Sequence, residues 1–142
     1  MKTTVTPVTA PAWFLVDATD KTIGEIAANV AHVLRGKHKP TFSAHQLCGD
    51  HVIIINAEKL AVTPQKGIRK TYFDHTGYLG HWRITSLADM MKTYPERVLE
   101  MAVKGMLPQN RLRFQMLKRL HVMRGAEHKY AAQKPTPLTF TV

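Results

Sequence analysis

The chain has 142 residues, 44% of them apolar, which is enough for one compact domain with its own core and excludes a disordered tail. Its 20 Lys and Arg residues outnumber its 10 Asp and Glu residues, and the resulting net charge of +10 indicates a polyanionic partner. One cysteine, Cys48, excludes an internal disulfide framework, and no apolar run reaches the roughly 20 residues that span a bilayer.

The first part of the chain has the pattern of a β-α-β unit. Residues 1–12 hold two prolines and no continuous apolar stretch, so we expect an extended N-terminal arm and no signal peptide. "WFLVD" predicts a buried strand, and the apolar residues that follow recur at helical spacing up to Gly36, the expected helix cap. Thr19 or Asp20 is the expected N-cap of that helix. "GDHVIIIN" predicts a second strand, parallel to the first and covered on both faces.

The middle of the chain gives weaker signals. Residues 59–63 and 70–73 are predicted as short strands or loops, and "TPQKG" between them as a turn. In "FDHTGYLGHW", at 73–82, glycines and aromatic residues predict a tight loop. Tyr72, Tyr78 and Trp82 could stack on unpaired bases there, or they could simply cover the sheet.

The second half is predicted to be mainly helical. Ser86 with Asp89 forms a capping box, and Pro95 suits the first position of the next helix. Asn110 is expected to cap a further helix that runs to about Leu120. Residues 121–123 predict a short strand, and residues 129–142 an extended C-terminal arm, so that residues 13–128 form the single domain.

The basic charge is concentrated in the C-terminal third. Residues 101–142 hold 8 basic side chains and 1 acidic one, whereas residues 1–100 hold 12 and 9. Arg111, Gln115 and Lys118 share one face of the predicted helix, and Arg113 and Arg119 flank its apolar side. Because a merely solvated face normally interleaves acids, this pattern favours contact with phosphate.

A second group of cations follows the first predicted helix in "RGKHKP". The helix dipole explains one or two cations at a C-terminus, but Arg35, Lys37 and Lys39 together favour phosphate contact. Catalytic and metal sites have no such support. Asp17 and Asp20 follow a strand without the spacing of a phosphotransferase, no Gly-rich nucleotide loop is present, and the eight histidines are scattered. We therefore expect no catalytic residue, no metal and no cofactor.

Several strings together resemble one family. "WFLVDATDKTIGEIAANVAHVLRGKHKP", "GDHVIIINAEKLAVT", "HTGY", "PERVLEMAVKGMLP" and "GAEHKYAAQKP" occur in the order and spacing of bacterial large-subunit ribosomal protein thirteen, from about Trp13 to Pro137. The resemblance implies an α/β fold: a three-layer α/β/α domain around a small, mostly parallel four-stranded sheet. It also implies binding to large-subunit ribosomal RNA early in subunit assembly, contact with neighbouring ribosomal proteins, and in some relatives binding to the protein's own messenger RNA.

Charge pattern and resemblance together give one set of predicted RNA-binding residues: Arg35, Lys37, His38, Lys39, His75, Thr76, Gly77, Tyr78, Lys104, Arg111, Arg113, Lys118, Arg119, Arg124, His128, Lys129 and Lys134. The chain departs from the family pattern at Leu79, where proline is usual, and at residues 109–114, where the cations are displaced and a glycine is absent.

The sequence therefore predicts a non-enzymatic, RNA-binding component of the large ribosomal subunit, located in the cytoplasm and not in a membrane. Two alternatives remain open at this point. One is a cytosolic α/β enzyme that modifies RNA or uses a nucleotide at Asp17 and Asp20. The other is a free regulator that binds messenger RNA to control translation.

Overall fold

The computed structural model describes residues 7–140, so half of the predicted N-terminal arm and the last two residues lie outside the described part. Six strands and five helices follow one another as β1 (Trp13–Asp17), α1 (Ile23–Arg35), β2 (His51–Ile55), α2 (Pro64–Arg69), β3 (Thr71–His75), β4 (Trp82–Ser86), α3 (Leu87–Thr93), α4 (Pro95–Met106), α5 (Arg113–Leu117), β5 (Leu120–Val122) and β6 (Thr136–Pro137). The predicted α/β class is confirmed.

The main sheet has four parallel strands in the order β5-β2-β1-β6. Trp13 lies opposite His51, which confirms the predicted parallel pairing of the first two strands. Val52, Ile53 and Ile54 are all fully buried because both faces of β2 are covered. The fourth strand comes from the predicted C-terminal arm. Its Pro137 has no N–H to donate and is tolerated because β6 lies at the sheet edge.

The main core lies between one face of this sheet and helices α1 and α4. Val16 and Ile54 from the strands pack with fully buried side chains of the helices, among them Val30, Leu34 and Leu99. Each such side chain stabilises the fold by about 1.5–3 kcal/mol relative to exposure. On the opposite face of the sheet, the segment after β5 packs through Tyr130.

For helix α1, the C-cap was predicted correctly and the N-cap was not. Gly36 is the left-handed C-cap, with φ 83°, as the sequence indicated. The N-cap is Thr22, whose hydroxyl accepts from the N–H of Glu25, while the Glu25 carboxylate accepts from the N–H of Thr22. The prediction of Thr19 or Asp20 was wrong because the chain first makes a turn in which Asp20 has a positive φ of 56°.

A smaller hydrophobic cluster joins α3 and α4 beside the main core. Ser86 caps α3 and Pro95 is the first residue of α4, as predicted. "TPQKG", predicted as a turn, instead begins helix α2, since Pro64 has the φ that a first helical turn requires. Leu87, Met90 and Val98 form the buried centre of this cluster.

Two further elements differ from their predictions. Strands β3 and β4 form an antiparallel hairpin of their own, so the predicted loop at 73–82 has strand at both ends and a tip with positive φ at Gly77 and Gly80. Helix α5 is much shorter than the predicted helix at 110–120. Asn110 does bond to the N–H of Arg113, but Leu120 is already extended because it pairs with Val52 in the sheet.

Candidate nucleic-acid interface

The cations around α5 lie at the surface without ionic partners. Arg111 and Lys118 are exposed, Arg113 is half-buried, and Lys104 is exposed near the end of α4. None of the three ion pairs found within residues 7–140 includes any of these four side chains. Their charges therefore remain available to a phosphate backbone, as the absence of acids in the sequence predicted.

A groove of about 360 Å³ runs between α4 and α5 and combines cations with an aromatic ring. Arg97, Lys104 and Lys118 line it with Phe114, and Glu100 is its one acidic side chain. Phe114 is 68% exposed, and the ammonium nitrogen of Lys118 lies 5.0 Å from the centre of its ring. Such a ring flanked by ammonium groups can hold an unpaired nucleotide, with the base on the ring and the phosphate on the cations. The resemblance implies RNA contact along residues 105–118, which include Phe114, although Phe114 is not among the individually predicted residues.

The cations after α1 divide into two groups with different surroundings. Lys37 is exposed, and Arg35 is half-buried with its guanidinium 5.6 Å from the centre of the Phe42 ring. His32, Arg35 and Lys37 line the same groove as Met106, so the C-terminal ends of α1 and α4 meet there. These two cations can act together with those of α4 and α5.

His38 and Lys39, in contrast, are held by a buried carboxylate. Asp50 is fully buried, and its two oxygens lie 2.6 Å from Nζ of Lys39 and 2.7 Å from Nε2 of His38. The backbone N–H of Ala12 donates to the same carboxylate at 2.8 Å. The positive charge of Lys39 is therefore compensated inside the protein, and its side chain is only 15% exposed.

Arg119 is also engaged internally. Its guanidinium donates to the carbonyl of Gly49, and burial lowers the pKa of Arg119 below its ordinary value. Arg119, His38 and Lys39 were predicted to contact RNA. All three also make internal contacts: His38 and Lys39 join the loop after α1 to Asp50, and Arg119 joins the segment before β5 to Gly49.

The hairpin tip presents a different surface. His75 accepts from the N–H of Gly77 at 2.9 Å, Tyr78 is 76% exposed, and Thr76 lies beside them in the exposed tip. Tyr72 pairs with Thr85, whereas Trp82 pairs with His75, so Tyr72 and Trp82 lie on opposite faces of the hairpin. The three aromatic residues grouped by the sequence therefore form no common stacking surface.

The cations of the C-terminal segment are dispersed. Arg124 pairs with Glu58 at 3.5 Å, with both side chains about half exposed. Nδ1 of His128 accepts from the N–H of Tyr130, and Lys129 and Lys134 are exposed, the latter at a positive φ of 47°. These residues are accessible to a partner, and none of them lines the groove between α4 and α5.

A stacked aromatic group that the sequence analysis missed closes the second face of the sheet. The ring of Trp13 lies 4.1 Å from that of His51 and 5.5 Å from that of His121, nearly parallel to both. The Tyr130 hydroxyl lies 3.0 Å from Nδ1 of His121. Burial lowers the pKa values of His51 and His121, so both rings are neutral near pH 7. Their only signal in the sequence is position, at or near the starts of neighbouring parallel strands.

Asp17, the centre of the alternative enzyme hypothesis, is used by the fold. Its Oδ1 accepts from the side-chain amide of Asn56 at 2.9 Å and from both the hydroxyl and the N–H of Thr19. The hydrogen bond from Asn56, followed by those from Thr19, lowers the pKa of Asp17. Across residues 7–140, no three His, Cys, Asp or Glu side chains are grouped to hold a metal ion. In the same range no helix is long and apolar enough to cross a membrane.

Comparison with known proteins places this geometry in context. The family model described as Ribosomal protein L13 matches residues 11–129. The large ribosomal subunit protein uL13 of Symbiobacterium thermophilum is 56% identical over 126 residues, which cover 89% of this chain and 88% of that protein. The uL13 proteins of Nitratidesulfovibrio vulgaris and of Geobacillus sp. strain WCH70 are each 53% identical, over 91% and 87% of this chain and 90% and 85% of their own lengths.

Proposed function

Because the chain belongs to the Ribosomal protein L13 family, we propose that it binds large-subunit ribosomal RNA through one basic surface. The protein is a structural component of the large ribosomal subunit in the cytoplasm, and it is not an enzyme. We define the basic surface as the exposed or half-exposed cations at the ends of α1 and α4 and around α5: Arg35, Lys37, Lys104, Arg111, Arg113 and Lys118.

The grouping of cations without ionic partners at the ends of α1 and α4 and around α5 carries this proposal. The carboxylates that do form ion pairs within residues 7–140, Asp50 and Glu58, both hold cations outside the basic surface. Cations without partners repel one another, and neutralisation by phosphate with release of counterions relieves that repulsion. His38 and Lys39, whose contacts with Asp50 fix the loop that carries Lys37, and Arg119 remain predicted RNA contacts.

We propose that the other predicted residues make additional RNA contacts outside the basic surface. The hairpin tip from His75 to Tyr78, together with Arg124, His128, Lys129 and Lys134, is accessible and suits entry into RNA crevices. An early role in subunit assembly and binding to the protein's own messenger RNA are proposals that rest on the resemblance alone.

A paired substitution tests the basic surface. The double variant Arg111→Gln with Lys118→Gln should bind a large-subunit rRNA transcript more weakly, because two phosphate contacts are lost. The slope of log affinity against log salt concentration should become less negative by about 1.4–1.8. The measurement is a fluorescence anisotropy titration between low and physiological salt, with circular dichroism to verify the fold.

The matched control removes the same charge elsewhere. Lys66→Gln with Arg69→Gln also lowers the net charge by two, on exposed positions of α2 outside the basic surface. Its salt dependence should stay close to that of the unmodified protein. Equal losses in both double variants would mean that total charge, and no defined surface, governs binding. Sedimentation should also place the unmodified protein with large subunits in a cell extract.

A further inference from the structure

The β3–β4 hairpin has two faces with different surroundings. Side chains alternate between the faces of each strand, and the register joins Phe73 to Ile84 and His75 to Trp82 on one face. On the other face, Tyr72, Asp74, Arg83 and Thr85 line a cavity together with side chains of α3 and α4, and Phe73 also borders this cavity although its ring is 68% exposed. The second face is thus turned toward the body of the protein, and the first is turned away from it.

The outward face is apolar and uncovered. Phe73 is 68% exposed, Trp82 59% and Ile84 54%, and Leu79 at the adjoining tip is fully exposed. Of the ten exposed large hydrophobic side chains in the described residues, five lie between 73 and 84, so these side chains are concentrated and not scattered. Concentrated apolar exposure of this kind marks an interaction surface.

The outward face also lacks charge, which separates it from the basic surface. Its residues are Thr71, Phe73, His75, Trp82, Ile84 and Ser86, with no Lys, Arg, Asp or Glu among them, in a chain with a net charge of +10. Contact with RNA depends on cations that meet phosphates. The centres of protein–protein interfaces are instead depleted of charge and enriched in aromatic side chains.

Phe114 supplies the contrast within the same chain. Its exposed fraction, 68%, equals that of Phe73, but a lysine ammonium lies 5.0 Å from the centre of its ring. The two phenylalanines are matched in residue type and exposure, but of the two only the ring of Phe114 has a cation over it within residues 7–140. The difference indicates different partners for the two surfaces.

We propose that the outward face of the β3–β4 hairpin docks against an apolar surface of a neighbouring protein in the large subunit, an inference that rests on the proposed function. Phe73, Trp82 and Ile84 would be buried at the centre of that contact. The uncharged, aromatic face would thus bind protein while the basic surface binds RNA.

Site-specific photocrosslinking tests this assignment. A photoreactive benzophenone amino acid, p-benzoylphenylalanine, is placed at position 73 or at position 114 of the full chain, and large subunits that contain each variant are purified before irradiation. Position 73 should give a crosslink to one defined ribosomal protein that survives ribonuclease. Position 114 should give a crosslink to rRNA that ribonuclease removes.

A charge substitution separates the two kinds of partner further. Ile84→Lys changes a position that is 54% exposed, so it should leave the fold intact, and circular dichroism checks this. It should reduce the protein crosslink from position 73 about tenfold or more, since an unpaired ammonium would be desolvated in an apolar contact. An RNA partner would tolerate or favour the added lysine.

The outcomes distinguish this inference from the proposed function. A crosslink from position 73 to rRNA, or none in subunits that give the position 114 crosslink, overturns the inference and leaves the basic surface standing. A protein crosslink from both positions removes Phe114 from the RNA contact and supports the inference. A protein that never enters large subunits refutes the proposed function itself, and the inference with it.

Discussion

Replacing Asp50 by Asn should destabilise the protein strongly, because the Asp50 carboxylate is fully buried and faces three donors. Nζ of Lys39 lies 2.6 Å from one oxygen, Nε2 of His38 lies 2.7 Å from the other, and the N–H of Ala12 donates at 2.8 Å. Asparagine keeps the shape but removes the charge and turns one acceptor into a donor. At least one of the three donors then meets an NH₂ group, because Lys39 and Ala12 share Oδ1 and His38 faces Oδ2.

The magnitude follows from burial. Removing one partner of a buried ion pair costs about 3–5 kcal/mol, because the other charge is left without compensation. The Lys39 side chain is only 15% exposed, so solvent replaces little of the lost interaction. We expect the free energy of unfolding of Asp50→Asn to fall by about 3–5 kcal/mol, with a melting temperature lower by roughly 10–17 °C.

Urea denaturation followed by circular dichroism measures this loss, and Glu58→Gln is its control. Glu58 also changes from carboxylate to amide, but its pair with Arg124 spans 3.5 Å with side chains 45% and 55% exposed. That variant should lose less than about 1 kcal/mol. A loss for Asp50→Asn that is no larger than for Glu58→Gln would refute the view that the buried carboxylate organises the loop after α1.

The other predictions concern local contacts. Lys37→Gln should weaken binding to rRNA more than Lys39→Gln does in variants that both remain folded, because only Lys37 has an uncompensated charge; a titration showing the reverse order would contradict this. Gly49→Ala should disrupt the fold, since a Cβ there would lie 1.7 Å from the carbonyl oxygen of Leu34. A Cβ at Gly24 would have nothing within 4 Å, so Gly24→Ala should leave the free energy of unfolding unchanged or raise it by up to about 1 kcal/mol, as measured by urea denaturation. Burial lowers the pKa of His121 below its ordinary value of 6.5, so the unfolded chain binds the proton more readily and stability should decrease as the pH falls through that value. In His121→Phe this loss between pH 7 and pH 5 should be smaller, and an unchanged pH profile of the unfolding midpoint would count against the reasoning.

Much of the fold could be predicted because its signals are local. The cap at Gly36, the Ser86 cap of α3 and the proline at the start of α4 each depend on residues within one helical turn. The parallel pairing of β1 and β2 followed from two apolar runs separated by one amphipathic helix. The basic surface could be anticipated in the same way, since the absence of acids near Arg111 and Lys118 is a property of the sequence.

Contacts between distant residues were not predictable in this way. Asp50 forms ion pairs with two of the predicted RNA-binding residues, His38 and Lys39, and nothing in "RGKHKP" indicates which of its cations meets a carboxylate. Strand β6 contains a proline and pairs with β1 from the opposite end of the chain. Its pattern shows only an extended segment.

Sequence alone determined that this chain is a basic α/β protein with a β-α-β start, the family it resembles, and an excess of cations in its last third. Those properties arise from residue type and short-range spacing, which a linear pattern records. The tertiary structure decided which cations lack an ionic partner within the protein and are available to bind RNA. It also decided that the hairpin turns an apolar face outward. Each of these depends on what packs against a side chain, and packing between distant residues is fixed only when the whole chain has folded.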